Sequence, residues 1–198
     1  MDIVIPNNNE NEFIEIASRL NIKKLYFLYD FDEYIKKHQK IPNFEENKNI
    51  QIENGLAVNQ KNLNQAVKLS KLLVAKSSDN DRFLIESKKI RLIYGFEEVN
   101  KKDYLHQRAS GLNQIICELA KKNNVAIGFA YSSLFNKNKP IASTLIGRMI
   151  QNIQLCKKYK CNVVIASFAE NPLHLRPPHD IKSLFSLLGF IGSGPKFI

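Results

Sequence analysis

Short apolar runs and amphipathic stretches take turns along almost the whole chain. Residues 2–5, "DIVI", read as a short strand. Residues 11–20 read as a helix with Phe13, Ile16, Ala17 and Leu20 on one stripe. The pattern then predicts a strand at 23–30, a helix at 31–40 and a strand within 49–58. A short helix at 62–69, a strand at 71–78, a helix at 81–88 and a strand at 90–96 follow. A polar segment, 97–110, interrupts the alternation. Ser110 is the expected cap of the next helix, with Gly111 in its first turn and Leu112, Ile115, Ile116 and Leu119 as its buried stripe. The strand at 125–131 is apolar on both faces, as a central parallel strand should be. After the polar loop 136–140 comes a long helix from about Ser143 to Tyr159, then a strand at 163–168. The last helix, 180–188, is expected to start at the cap-like Asp180 behind Pro177 and Pro178. The tail has room for one more short strand.

Seven to eight strands alternating with helices predict an α/β protein with a parallel sheet. A closed barrel and an open doubly wound sheet both fit that repetition. The first strand has no glycine-rich turn after it and the repeat count is near eight. We therefore expect a single TIM-barrel-like domain over 1–198, although roughly 200 residues is the small end for that fold. No linker, internal repeat or low-complexity block suggests a second domain.

Composition narrows the class. An apolar content of 44% and a charged content of 24% suit a soluble globular chain. No apolar run approaches the roughly 20 residues of a membrane span. The opening "MDIVIPNNNENE" lacks the basic start and small-residue cleavage site of a signal peptide, so a cytoplasmic location is expected. Cys117, Cys156 and Cys161 are odd in number and form no CxxC pair, which suggests reduced intracellular thiols.

Charge changes the picture more. The net charge is +10, and residues 101–198, with 14 Lys/Arg against 4 Asp/Glu, carry an excess equal to the whole. Such an excess suits polyanions, with RNA, DNA and anionic membranes all admissible, or merely solubility. On the long helix, Arg148, Gln151, Gln154 and Lys158 oppose an arc of Leu145, Ile146, Met149, Ile150, Ile153 and Cys156. Lys157, Lys158 and Lys160 crowd its end, where they would also complement the helix dipole. No acid occurs between Pro140 and Ala169, whereas a merely solvated face tends to mix signs. Arg108 and Arg176 stand on loops ahead of expected helix starts, where a guanidinium beside backbone amides makes an anion site or simply pairs with a loop carboxylate. Tyr104, Tyr131 and Phe135 are candidates for base stacking or for the edge of the core.

Catalytic chemistry is harder to place. Parallel sheets hold ligands at the carboxyl ends of their strands, which here offers Asp30, Glu53, Ser77, Ser78, Ser132, Ser133 and Ser167. Asp30 is better placed to cap the helix at Phe31. The four histidines, His38, His106, His174 and His179, form neither HxH nor HExxH. No catalytic and no metal-binding residues are expected. A metal-dependent phosphoesterase using Asp30, Glu53 and His174 is the rival reading.

The second half carries a more specific likeness. "RASGLNQIICELAKKNNVAIGFAYSSLF" (108–135) and "LIGRMIQNIQLCKKYKCNVVIASFAENPLHLRPPHDIKSLFSLLGF" (145–190) resemble ribonuclease P protein component 3. This is the archaeal counterpart of a eukaryotic subunit shared by ribonucleases P and MRP. The likeness lies in the order and spacing of "SGLN", "VAIGF", "GRMIQNIQLCKKYK", "VIASFA" and "RPPHDIKSL". "QRASGLN" departs from the commoner "RRSGLN"-like wording. The resemblance implies a barrel similar to the polymerase-and-histidinol-phosphatase hydrolases, without their metals. It implies an accessory role in an endoribonuclease whose RNA subunit removes the 5′ leader of precursor tRNA and uses the magnesium. It implies ribonuclease P RNA, precursor tRNA and the small component 2, in a heterotetramer, as partners. The matching arginines are Arg108, Arg148 and Arg176. With Gln151, Lys157, Lys158 and Lys160 they are the expected RNA contacts.

Overall fold

The computed structural model describes residues 1–37, 50–98, 102–103, 105–106, 108–135 and 138–190. The chain alternates β1 (Asp2–Val4), α1 (Glu10–Arg19), β2 (Lys24–Asp30), α2 (Phe31–Lys37), β3 (Gln51–Val58), α3 (Leu63–Ala66) and β4 (Leu73–Lys76). It continues through α4 (Asp81–Glu86), β5 (Leu92–Tyr94), α5 (Gln114–Lys122), β6 (Ala126–Ala130), α6 (Lys139–Tyr159), β7 (Val163–Ala166) and α7 (Pro178–Leu187). The strands pair in sequential order, every pair parallel. The first and last strands then meet. Phe168 N donates to Ile3 O and Ile5 N to Ala169 O, both at 2.8 Å. The buried Asp2 carboxylate accepts from Ser167 N at 2.6 Å. The expected TIM-like barrel is therefore what forms, with seven strands among the described residues. The short strand expected in the tail 189–198 falls, beyond Phe190, outside them.

Strand alternation sorts the apolar residues into two layers. Ile3, Tyr26, Leu28, Leu92, Tyr94 and Val164 fill the barrel. Their neighbours Val4, Phe27, Tyr29, Ile93, Ile127 and Ile165 point outward into the helices. Both layers are buried, which is why these strands are apolar throughout rather than alternating. The interior is crowded enough to require a glycine. A methyl at Gly128 would lie 2.7 Å from Tyr94 Cβ and 3.1 Å from Leu92 Cδ1.

Three helix starts differ from the sequence expectation. α5 begins behind Asn113, whose side chain accepts from Ile116 N at 3.0 Å. Ser110 is instead buried, and Gly111 has φ +79°, outside the helical range. The buried stripe turns accordingly to Ile116, Cys117 and Ala120, leaving Ile115 58% exposed. α6 begins at Lys139, because Asn138 caps Ile141 N and Pro140 in the first turn loses no hydrogen bond. α7 likewise opens at Pro178, and Asp180 sits in its first turn beside the helix dipole rather than at its cap.

Gly128→Ala is expected to overpack the barrel and lower stability by about 1–3 kcal/mol in denaturant titration. An unchanged midpoint would mean that Tyr94 can withdraw.

Candidate nucleic-acid interface

α6 has to pack one face against the barrel while pinning the loop that leaves β5. Its inner face is not purely apolar. Arg148 and Asn152, one turn apart, are buried among Leu145, Met149, Ile153 and Cys156. Burial of such groups is tolerable only with partners. Arg148 Nε donates to Asp103 Oδ1 at 2.9 Å and Nη1 to Glu97 O at 3.1 Å. Asn152 Nδ2 donates to Ser110 O at 2.9 Å. Gln151 Nε2 donates to Ser110 Oγ at 2.8 Å and to Arg108 O at 3.2 Å.

Asp103 is the hub of this network. Oδ1 also accepts from Ala109 N at 2.9 Å, while Oδ2 pairs with Arg108 at 3.3 Å. Partial burial disfavours its charge, but the Arg148 and Ala109 donors outweigh that and hold the carboxyl below the usual aspartate range. Arg108 lies along α6 at Gly147, where an added methyl would collide with its guanidinium group. The structure thus gives Arg148 and Gln151 a different position from the outer face that periodicity assigns them. Period counting places an arginine by its polarity, whereas a paired guanidinium can be buried. Arg108 keeps half its side chain exposed.

The lysines converge elsewhere. Because α5 and α6 both run back from strand ends to strand starts, their carboxyl ends share the opposite rim of the barrel. There Lys121, Lys122, Lys158 and Lys160 surround a surface depression of about 520 Å³ with Glu118 and Tyr159. Lys158 Nζ lies 5.4 Å from the Tyr159 ring. Lys157 is exposed in the same last turn of α6. Lys121 and Lys122, whose role depends on this juxtaposition, were not among the candidates. Their place at a helix end was visible in the sequence, but their proximity to the end of α6 was not.

The third location is the barrel mouth. Arg176 Nη1 donates to Leu173 O and Leu175 O at 2.8 and 2.7 Å, and the guanidinium lies 4.9 Å from the Phe135 ring. Phe135 also stacks on His174, and Tyr131, itself buried, donates to His174 O at 2.6 Å. Both aromatic candidates are therefore structural; Tyr104 and His38 lie outside the described residues. A cavity of about 380 Å³ opens here, lined in part by Lys76, Glu98, Ser132, Ser133 and His174. Lys76 is paired with Glu98 at 2.7 Å.

The carboxylates and serines named as catalytic candidates are engaged locally. Asp30 accepts from Asp32 N, the capping role. Glu53 pairs with Lys24 and stands opposite Tyr26, four residues or about 13 Å down the strand pair from Asp30. Ser77 and Ser78 bond Asp81, while Ser132, Ser133 and Ser167 donate to backbone carbonyls. Among the described residues, no three His, Cys, Asp or Glu side chains converge as a metal cage. No helix among them is long and apolar enough to cross a membrane.

Glu97 sits beneath the mouth with neither carboxylate oxygen hydrogen-bonded among the described residues. Burial, only partly offset by the nearby backbone amides of Glu97 and Ala130 and by Lys76 and reinforced by Glu98, pushes its carboxyl from 4.5 up to about 8.

The chain is similar to known proteins. The family model for RNase P subunit p30 matches residues 101–193. Ribonuclease P protein component 3 of Methanosarcina acetivorans is 32% identical over 82 residues, covering 41% of this chain and 34% of that protein. Its counterpart in Methanococcus maripaludis strain C5 is 27% identical over 148 residues, covering 72% and 63%. The chain thus spans less than two thirds of the length of either relative. Among solved structures, a chain of archaeal ribonuclease P with mature tRNA, determined by cryo-EM, matches with a TM-score of 0.77. It covers 94% of this chain and 82% of that one at 21% identity, a likeness of fold.

Two outcomes are expected. Arg148→Ala leaves Asp103 and Glu97 O without their buried donor and should cost about 3 kcal/mol, read as a lower thermal midpoint. Glu97→Gln should stabilise the protein at alkaline pH. Between pH 4.5 and about 8 the folded chain holds a proton that the unfolded chain has released, so wild-type stability falls as pH rises through that window. The variant should lack that slope in denaturant melts, and the two proteins should converge near pH 4.5.

Proposed function

We propose that this chain, similar over its second half to ribonuclease P protein component 3, is a protein subunit of ribonuclease P. It binds the catalytic RNA and stabilises its fold for 5′-leader removal from precursor tRNA. The protein itself contributes no catalytic residue and binds no metal of its own, magnesium being used by the RNA.

One observation carries the reading. The segment matching the family contains all the lysines that two separate helices bring to one depression. Their charges, held together at the rim, would neutralise adjacent phosphates and let RNA helices approach at lower magnesium. Lys157, Lys158 and Lys160 are the primary contacts, extended by Lys121 and Lys122. Arg108, half exposed on its pinned loop, is a second contact point. Arg176 would meet RNA only at the opposite rim, and Arg148 and Gln151 serve the RNA surface indirectly by fixing the Arg108 loop. Component 2 is the expected protein partner, in a heterotetramer. Leu173, 71% exposed, is the better candidate for that contact than Phe135, whose ring is already engaged.

The test is reconstitution with the cognate RNA and component 2 at low magnesium, scored by cleavage of precursor tRNA. Glutamine at Lys121, Lys122, Lys158 and Lys160 should raise the magnesium requirement. It should also reduce the salt slope of RNA binding by roughly 0.7–0.9 per lost phosphate contact. An unchanged slope and magnesium optimum would remove the rim from the RNA surface. Turnover of a phosphodiester by the protein alone, with stoichiometric zinc or manganese, would replace the reading with the hydrolase one.

A further inference from the structure

The three cysteines, 39 and 5 residues apart in sequence, meet in one seam. Cys117 lies on the inner face of α5 and Cys156 on the inner face of α6, both buried. α6 then stops because Lys160 turns left-handed, at φ 56° and ψ 45°. That turn folds the chain back on itself. Cys161 N donates to Cys156 O at 2.9 Å, and Cys161 Sγ lies 3.4 Å from Cys117 O. Cys161 thus touches both of the other cysteines, Cys156 through its backbone and Cys117 through its side chain. Cys161 alone is partly exposed. The seam therefore has one partly exposed cysteine and two buried ones, the arrangement of an attacking thiol with concealed partners.

We propose that Cys161 is a thiol-modification site for low-molecular-weight disulfides, resolved by Cys117 into a disulfide that staples α5 to the end of α6. In the first step the Cys161 thiolate attacks one sulfur of the small disulfide. A Cys161–S–S–R bond forms, the original S–S bond breaks, and one RS⁻ leaves. In the second step Cys117 sulfur attacks Cys161 Sγ, and its proton passes to the departing RS⁻. The products are the Cys117–Cys161 disulfide, one RSH and one RS⁻, the latter taking up from water the proton that Cys161 released on ionising, so the small disulfide is the oxidant and is reduced. Cys117 is assigned as resolver over Cys156 because Cys161 Sγ already lies against Cys117, whereas Cys156 meets Cys161 through its backbone carbonyl.

The electrostatics assist the first step. Hydrogen bonds from Cys117, then from Cys156, stabilise the Cys161 thiolate, and Lys121 adds a positive charge, so its pKa lies well below that of a free thiol. In the thiol form the same sulfur donates to Cys117 O instead. Cys117 is pulled down by Cys156 but pushed further up by Cys161 and by burial, to about 12. It therefore stays protonated until the mixed disulfide is presented to it. The proposal is independent of RNA binding, and the seam lies beside Lys121 at the lysine rim.

The probe is oxidised glutathione, added to the reduced full chain, with acid quenching, alkylation and non-reducing peptide mapping. At pH 6, Cys161 should form the mixed disulfide about tenfold faster in the folded protein than in the denatured chain. It should then lose glutathione as the Cys117–Cys161 disulfide appears. Cys117→Ser should arrest the reaction at the Cys161 mixed disulfide, Cys161→Ser should abolish it, and Cys156→Ser should still close the bond. If Cys117→Ser fails to fold by circular dichroism, the wild-type map and Cys156→Ser decide the matter alone. Reaction of Cys161 no faster than in the denatured chain overturns the site. A persistent mixed disulfide, or a Cys156–Cys161 bond in the wild type, overturns Cys117 as resolver.

Discussion

The closure of the sheet between β7 and β1 governs everything else in this molecule. A three-residue strand and a handful of bonds complete the ring: Phe168 to Ile3, Ile5 to Ala169, and the Ser167 amide to the Asp2 carboxylate. This near-closure leaves little sheet edge among these strands to pair with another chain. It also imposes a strict division on every strand, one face inside and one face under the helices. The inside is small, so Gly128 must remain a glycine where Tyr94 and Leu92 close in. Asp2, fully buried, bears the electrostatic consequence. Burial raises its carboxyl to about 6 despite the Ser167 and Ile3 donors.

A parallel barrel also has two unlike rims. Loops leaving the strands gather at one, helix ends at the other. That polarity separates the basic residues of the second half. Arg176 and the Arg108 loop belong to the first rim, while Lys121, Lys122, Lys157, Lys158 and Lys160 belong to the second. The lysine rim sits where helix dipoles are negative, so these charges complement the fold as well as any phosphate ligand. Both contributions have the same sign, which is why a rim this basic can persist without opposing acids other than Glu118.

The inside of α6 illustrates how a buried charge is used. Arg148 ties Asp103 and the Glu97 carbonyl to the helix, and Gln151 and Asn152 tie Ser110. A hydrophobic pair would pack as well. It would not hold Asp103, Arg108 and Ser110 at defined positions beside the helix.

The sequence by itself determined the alternation of strands and helices, a parallel sheet with the barrel as its favoured form, the basic second half and the likeness to a ribonuclease P component. Those follow from local quantities: period, composition and the order of short motifs. Local quantities also misled at particular residues. Ser110 looks like a cap until Gly111 takes a left-handed conformation and Asn113 offers a better one. Pro140 looks like a loop residue, yet a helix's first turn tolerates it. Tertiary structure alone decided that Arg148 faces inward, that lysines 36 to 39 positions apart share one depression, and that three unpaired cysteines adjoin. Each of these depends on which helix lies beside which around the barrel. No period along the chain encodes that neighbourhood, because ring closure and the packing of α5 against α6 create it.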